Sequence, residues 1–415
     1  MRTGAVTDVR VTVVGAGLAG LTAARALEAA GHTVLVVEAR DRVGGRVWSQ
    51  QLDNGVWFER GAEFIEDGQT AVHRLAGELG IRLSPTGMSY SDREPRDLVG
   101  TVARGDVLAG VEALRTSAPT GTVAEALERI ALPGRVRRAI AARLRVSFAQ
   151  DPARLGVEVL RHDAASFSGR EAYRCEGGNQ QLALRAAAEL NGRILLGHVV
   201  ESIAWSQHGV LVRWHGGQAA SAACVVTTPA TVWRRLGFEP DLPAWKAGLL
   251  DRIEYSHAAK IAAPLESRPD PSAVLSVDHA FWTWTATRGE QPAEPAVHAF
   301  AGSSEALRGL AVVDGPGRWL TALQDLRPEL AIDHHSAVLS TWDDDPWALG
   351  AYSTGSLGGS ADIAALRAPV GPIHFAGEHT AGDWFALMEG AIRSGQRAAE
   401  EIRSGPGQGG ARSIP

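Results

Sequence analysis

The chain is poor in cysteine and almost without lysine. Its two cysteines, Cys175 and Cys224, stand alone, with no CxxC pair. That excludes a disulfide framework and makes a reduced, cytoplasmic compartment the expectation. No stretch approaches the roughly 20 uninterrupted apolar residues of a membrane span. The only early apolar run is Val11–Val14, too short for a signal peptide. The net charge of -6 is spread along the chain, so neither nucleic acid nor an anionic membrane is an expected partner. His334, His335 and His379 have no metal-ligand spacing to nearby carboxylates, and no metal is expected. Of 41 basic residues only Lys246 and Lys260 are lysine, which leaves 39 arginines and makes each retained lysine informative.

What is present is ordinary for a globular enzyme: 415 residues, 45% apolar and 21% charged, too long for one hydrophobic core. The organising stretch is Val11 to Arg46. A short β-branched run ends at Val14, and Gly15, Gly17 and Gly20 follow in GxGxxG spacing. Residues 18–30 are rich in Ala and Leu and read as a helix closed by Gly31; Thr33–Val37 reads as a second strand ending at Glu38. In such a βαβ unit the first glycine makes the turn and the second admits a pyrophosphate. The third lets helix and strand pack, and the acid accepts from ribose hydroxyls. The helix N-terminus adds N–H donors and partial positive charge. A lone GxGxxG is weak among 47 glycines; strand, glycines, helix, strand and Glu together specify a dinucleotide site.

The next residues, Glu38-Ala39-Arg40 through Gly44-Gly45-Arg46, resemble the extension found in flavin amine oxidases. This superfamily includes the monoamine, polyamine and L-amino-acid oxidases. The resemblance implies an α/β two-domain flavoprotein, with a Rossmann-like FAD-binding domain and a mixed sheet-plus-helix substrate domain. It places Gly45 and Arg46 by the FAD pyrophosphate. Gly61-Ala62-Glu63-Phe64 resembles the loop beneath the flavin, and Gly177-Gly178-Asn179-Gln180-Gln181-Leu182 a second family string. Val200 would meet the adenine through its backbone, and Thr228 closes that segment at the cofactor.

Along the chain, residues 1–8 read as a disordered lead. Asp53-Asn54-Gly55 joins two strands, 47–51 and 56–59, and Thr70–Leu79 is a helix ended by Gly80. Helical patterns at 122–131 and 134–149 dominate a region without nucleotide signatures. Strands are expected at 193–200, 201–206, 210–214 and 222–226. The expected FAD-binding domain is 9–70, 171–240 and 339–405; the substrate domain is 71–170 and 241–338; 406–415 is a flexible tail.

Ile373 to Thr380 and Met388 to Ala399, FAGE followed by MEGAIRSG, resemble the C-terminal flavin motif of monoamine oxidases. The resemblance implies that Gly377 and Glu378 meet the ribitol. Met388, Glu389 and Ala391, opening a helix, would approach the flavin carbonyl edge. Lys260 lies in an apolar run where an ammonium is costly unless paired or deprotonated. In the family a lysine on this strand holds a water at flavin N5; the plainer alternative is a snorkelling strand-end lysine. Trp342 and Tyr352 match the residues that flank the isoalloxazine and form one wall of an aromatic cage. This chain departs from monoamine oxidases twice: Ala351 stands where they carry the flavin-tethering Cys, and Leu387 where they carry the second cage Tyr. FAD is therefore expected to be non-covalent. Phe281, Trp282 and Trp284 serve equally well as cavity walls or as core.

The expected reaction is oxidation of an amine to an imine by hydride transfer to flavin N5, with O2 as acceptor and hydrogen peroxide as product. No second strand–GxGxxG–helix exists for a nicotinamide. The expected partners are a small-molecule amine or amide-like substrate and O2, and a homodimer is compatible. Three alternatives stand beside this: an L-amino-acid oxidase, a secondary-metabolism oxidase or desaturase acting on a C–N or C–C bond, and a flavin-bound module without turnover. Lys260 and Tyr352 argue against the last.

Overall fold

Val11–Val14 is buried at all four positions, as befits a strand with a neighbour on each edge of a parallel sheet. The computed structural model describes residues 4–6, 9–89, 92–117, 120–161, 171–354 and 360–405. Its central sheet contains β1 (Val11–Val14), β2 (Val34–Val37), β3 (Arg193–Leu195), β4 (Ala223–Val226) and β5 (Ile373–Phe375). All are parallel, in the spatial order β3-β2-β1-β4-β5. Distant pieces of chain thus complete one nucleotide-type sheet. Helix α1 (Leu18–Ala29) follows the glycine turn and packs against α2 (Met388–Ser404). The crossing is close: a Cβ on Gly395 would lie 2.3 Å from the Ala19 carbonyl oxygen, so the residue there has to be glycine.

A second, seven-stranded sheet runs Val338–Thr341, Ala258–Pro264, Ala296–Gly302, Phe281–Thr285, Ser272–Ser276, Glu94–Asp97, Gly100–Thr101. Its register matters for the site. Lys260 is opposite Phe300, and Phe300 is opposite Trp282, so three neighbouring strands present these side chains as one row. Helices Arg104–Ser117, Val123–Arg129 and Gly134–Phe148 build a separate apolar cluster at this end. The architecture is the expected two-domain α/β fold.

Several elements match the sequence reading closely. The hairpin forms as Ser49–Gln51 against Trp57–Glu59, and the helix expected from Thr70 spans Thr70–Glu78. Others do not. Gly4–Val6, within the expected disordered lead, pairs in parallel with Gly217–Ala219 and extends a further five-stranded sheet. Three residues carry no strand periodicity; an available sheet edge recruits them. The strand Gly217–Ser221 and the helix Arg104–Ser117 were not anticipated, since one is glycine- and alanine-rich and the other weakly patterned. The expected tail, 406–415, lies outside the described residues.

Candidate active site

A cavity of about 810 Å³ extends from the C-terminal ends of β1, β2 and β4 to the Lys260–Phe300–Trp282 row. At the sheet end its lining is largely backbone. Helix α1 starts with Gly17 as N-cap and no capping side chain, and Gly17, Leu18 and Ala19 all face the cavity. A Cβ on Gly17 would meet nothing within 4 Å. The positive end of the helix therefore opens onto free space, suited to an anionic group. Gly20 has a different task. A Cβ there would lie 2.0 Å from the Gly15 carbonyl oxygen, so it lets helix and turn pack, and it does not line the cavity.

Glu38 is buried at the end of β2. One carboxylate oxygen accepts from the Ala16 N–H at 2.7 Å and the other from the Arg40 N–H at 2.9 Å. A carboxylate offers about four acceptor positions, so two remain for hydroxyl donors. Thr228 lines the same cavity, and its hydroxyl is buried with no partner among the described residues. Open helix terminus, half-filled carboxylate and orphaned hydroxyl fit the ADP half of a dinucleotide.

Glu378 is filled instead. Its Oε1 accepts from Arg46 Nη1 at 2.9 Å and the Ser353 N–H at 3.2 Å. Oε2 accepts from Ser353 Oγ at 2.5 Å and the Ala386 N–H at 2.7 Å. Burial, the largest single influence, would raise its pKa, but the Arg46 guanidinium, His379 and the hydrogen bonds from Ser353 and Ala386 together hold it below the usual carboxylate value. With four bonds made, Glu378 has no acceptor to spare for a ribitol hydroxyl. It ties the Arg46 loop to Ala386, whose φ of 64° is strained for a residue with a Cβ.

Lys260 lines the cavity with its ammonium turned into the protein. Nζ donates to the Glu59 carbonyl at 2.5 Å and the Gly61 carbonyl at 3.1 Å, and it contacts Glu63 Oε2 directly. Arg174 Nη1 lies 3.4 Å from the other Glu63 oxygen. Burial works against ionised Glu63, but Lys260 and Arg174 outweigh it and lower its pKa. Nearby Glu59 is pushed up to about 7 by burial, despite accepting from Ser49 and the Asn179 N–H.

The far end is aromatic. Trp282 and Trp284 face the cavity with ring centroids 4.2 Å apart, and Phe64 packs 5.6 Å and 5.5 Å from them. Phe281 alternates to the other face and packs on Trp319, so the open choice between wall and core divides along the strand. Trp342 Nε1 donates to the Arg60 carbonyl at 3.2 Å, which sets its ring beside Gly61. Tyr352 and Leu387 complete this region. Leu387 is also the N-cap of α2 and provides no capping side chain, so a second helix N-terminus opens onto the cavity through Met388 and Ala391.

A family model described as flavin containing amine oxidoreductase matches residues 18–174 and 147–403. The chain belongs to the flavin-containing amine oxidoreductases. A similar relative is AofH of Mycobacterium tuberculosis, by its name a flavin-containing monoamine oxidase. It is 30% identical, with 95% of this chain and 96% of that protein covered. An L-amino acid dehydrogenase of Synechocystis is 26% identical, covering 94% of each. Among solved structures, a putrescine oxidase bound to putrescine superposes with a TM-score of 0.81 at 22% identity, over 97% of this chain and 100% of that one. This likeness supports the fold. Membership of the family implies a flavin.

In this amine oxidoreductase every residue anticipated at the site lines the cavity except Gly20 and Glu389. Glu389 needs correction as a cofactor contact: it is fully buried and accepts from the N–H groups of Ala71 and Val72 at 2.9–3.0 Å, with Arg393 Nε at 2.6 Å. It caps the Thr70–Glu78 helix. Ser147, Phe148, Phe300, Trp384 and Phe385 also line the cavity and were missed. Trp384 and Phe385, three and two residues before Leu387, carried a usable signal as adjacent aromatics in a turn; Ser147 carried none. Among the described residues no His, Cys, Asp and Glu cluster suits a metal, and no helix is long and apolar enough to cross a membrane.

Proposed function

We propose that the protein is an FAD-dependent amine oxidase that converts an amine to an imine, with dioxygen as acceptor and hydrogen peroxide as second product. The observation that carries this reading is the continuity of the cavity from the open α1 terminus to the Lys260 and Tyr352 walls. When bound, FAD supplies the hydride acceptor.

The chain's own residues divide the work. The α1 terminus and Gly15, Gly17 and Gly45 receive the pyrophosphate, Glu38 the ribose, and the Val200 backbone the adenine. The loop Gly61–Ala62 and the α2 terminus hold the isoalloxazine, and Trp342 flanks it. Tyr352 and Leu387 face the substrate and keep water from it. Ala351 has no thiol, and the buried Cys175 and Cys224 do not line the cavity, which supports non-covalent FAD. The domain division 9–70, 171–240 and 339–405 against 71–170 and 241–338 goes with this reading.

A second reading, oxidation of an L-amino acid, draws on the dehydrogenase relative. The site favours it less. Among the described cavity residues Arg40, Arg46 and Lys260 each pair with a carboxylate, and Arg235 donates to the Pro346 carbonyl. The three paired cations are not ready for a substrate carboxylate, and the exposed Arg235 lies on the Ala230–Arg235 helical turn, not on the seven-stranded sheet that carries Lys260. An aerobic peroxide-release screen over amines, amino acids and N-acylated compounds tests the proposal. Stoichiometric peroxide from amines is expected. Turnover with an artificial acceptor but none with oxygen would make the protein a dehydrogenase instead.

A further inference from the structure

The aromatic end of the cavity holds one hydroxyl whose orientation is set from behind. Ser147 is the penultimate residue of the helix Gly134–Phe148, and both Ser147 and Phe148 line the cavity. Its Oγ accepts from Arg93 Nη2 at 3.1 Å. Arg93 is 1% exposed, does not line the cavity, and lays its guanidinium 5.0 Å from the Trp282 ring centre. A hydroxyl has one proton and two lone pairs, and a guanidinium can only donate. Arg93 therefore occupies a lone pair and leaves the Ser147 proton to be given elsewhere. Among the described residues Ser147 Oγ makes no other hydrogen bond.

The wall around it is aromatic: Phe64, Phe148, Trp282, Trp284 and Phe300 line this end of the cavity. A donor facing an apolar wall is costly to leave unsatisfied. A site built this way discriminates strongly for a ligand that supplies the missing acceptor.

We propose that Ser147 is a specificity-determining donor to the substrate, and that the amine oxidised here bears a neutral oxygen acceptor, a carbonyl or ether, remote from its nitrogen. This rests on the amine-oxidase reading above. The acceptor is neutral because the nearest cation is held behind the wall, and a desolvated carboxylate needs a cation in contact. A single neutral hydrogen bond is worth about threefold to tenfold in affinity.

The test is a binding cycle on the FAD-loaded enzyme, free of oxygen, read by perturbation of the flavin absorbance. The probes are 4-acetylphenethylamine against the near-isosteric 4-isopropylphenethylamine, and the corresponding benzylamines. Wild type, Ser147→Ala and Ser147→Thr are compared. The acetyl probe should gain threefold or more over its isopropyl partner in wild type, relative to Ser147→Ala, at one chain length at least. Ser147→Thr, which keeps the hydroxyl, should recover that gain. A coupling below threefold at both lengths, including the case in which neither acetyl probe binds, overturns the proposal. Peroxide release from the same amines is scored separately, so failure of the amine-oxidase reading is distinguishable from failure of the Ser147 assignment.

Discussion

Lys260 and Glu63 meet in direct contact, and this contact together with the Glu59 and Gly61 carbonyls accounts for every proton on the ammonium. An ammonium has three donors. Glu59 O, Gly61 O and Glu63 Oε2 take all three. Lys260 thus ties the Glu59–Gly61 segment to the seven-stranded sheet, and on the proposed reading a water at N5 would have to displace one of these bonds. The charge pair, more than the lysine alone, is the electrostatic unit on this side of the cavity.

Breaking that pair should be expensive. Lys260→Met leaves a buried carboxylate facing only Arg174 and costs about 3–5 kcal/mol. Adding Glu63→Gln should return part of the loss, giving a coupling of about 2 kcal/mol in urea denaturation of the four proteins. Additive single losses would show that the contact is energetically idle. In rapid-mixing traces Lys260→Met should also slow reoxidation by about tenfold or more, the effect of losing roughly 1.4 kcal/mol in the transition state.

Glu59 gives a pH signature. Its carboxyl rises from an ordinary 4.5 to about 7, chiefly through burial. The folded state therefore holds the proton more tightly than the unfolded chain. That contribution is complete below the unfolded pKa and is lost as pH rises through the window from 4.5 to about 7. Glu59→Gln, which has no proton to lose, should gain in melting temperature relative to wild type across that window and then level off. Parallel melting curves from pH 5 to 8 would refute the assignment.

Two glycines three residues apart should fail differently. Gly17 has an ordinary φ of -75° and open space at its Cβ position, so Gly17→Ala should leave the apoprotein within about 0.5 kcal/mol of wild type yet lower its FAD affinity. Gly20→Ala drives a methyl into the Gly15 carbonyl and should cost about 1–3 kcal/mol before any cofactor is considered. Equal stability losses in the two apoproteins would contradict this division of labour.

FAD should come away without a covalent bond to break. Acid precipitation is expected to leave a white pellet and a yellow supernatant, because Ala351 has no nucleophile and both cysteines are buried away from the cavity. A pellet that retained the flavin spectrum would show a tether of another kind.

The substrate should lack a free α-carboxylate. The Gly61-Ala62-Glu63-Phe64 loop offers no cation to a carboxylate, and Glu63 is committed to Lys260 and Arg174. Tryptamine is therefore expected to show a higher kcat/KM than tryptophan, and other amine and amino-acid pairs should follow. The reverse order across several pairs would favour the amino-acid oxidase.

The sequence by itself determined the βαβ unit, its glycine turn and Glu38. Strand, turn and helix preferences act within a few residues, and the spacing of small and apolar side chains states them directly. It also identified Lys260 and Tyr352 as cavity residues, through resemblance more than through local physics. Tertiary structure alone decided what those residues touch. Glu63 reaches Lys260 across 197 residues of chain and Glu378 reaches Arg46 across 332. Such partners are set by sheet register and by which loops converge. Hence Glu378 is spent on Arg46, Ser353 and Ala386, Glu389 caps a helix, and Ser147 faces the cavity with Arg93 behind it. A one-residue slip in register would turn Lys260 to the opposite face and undo the arrangement, and no local pattern records that choice.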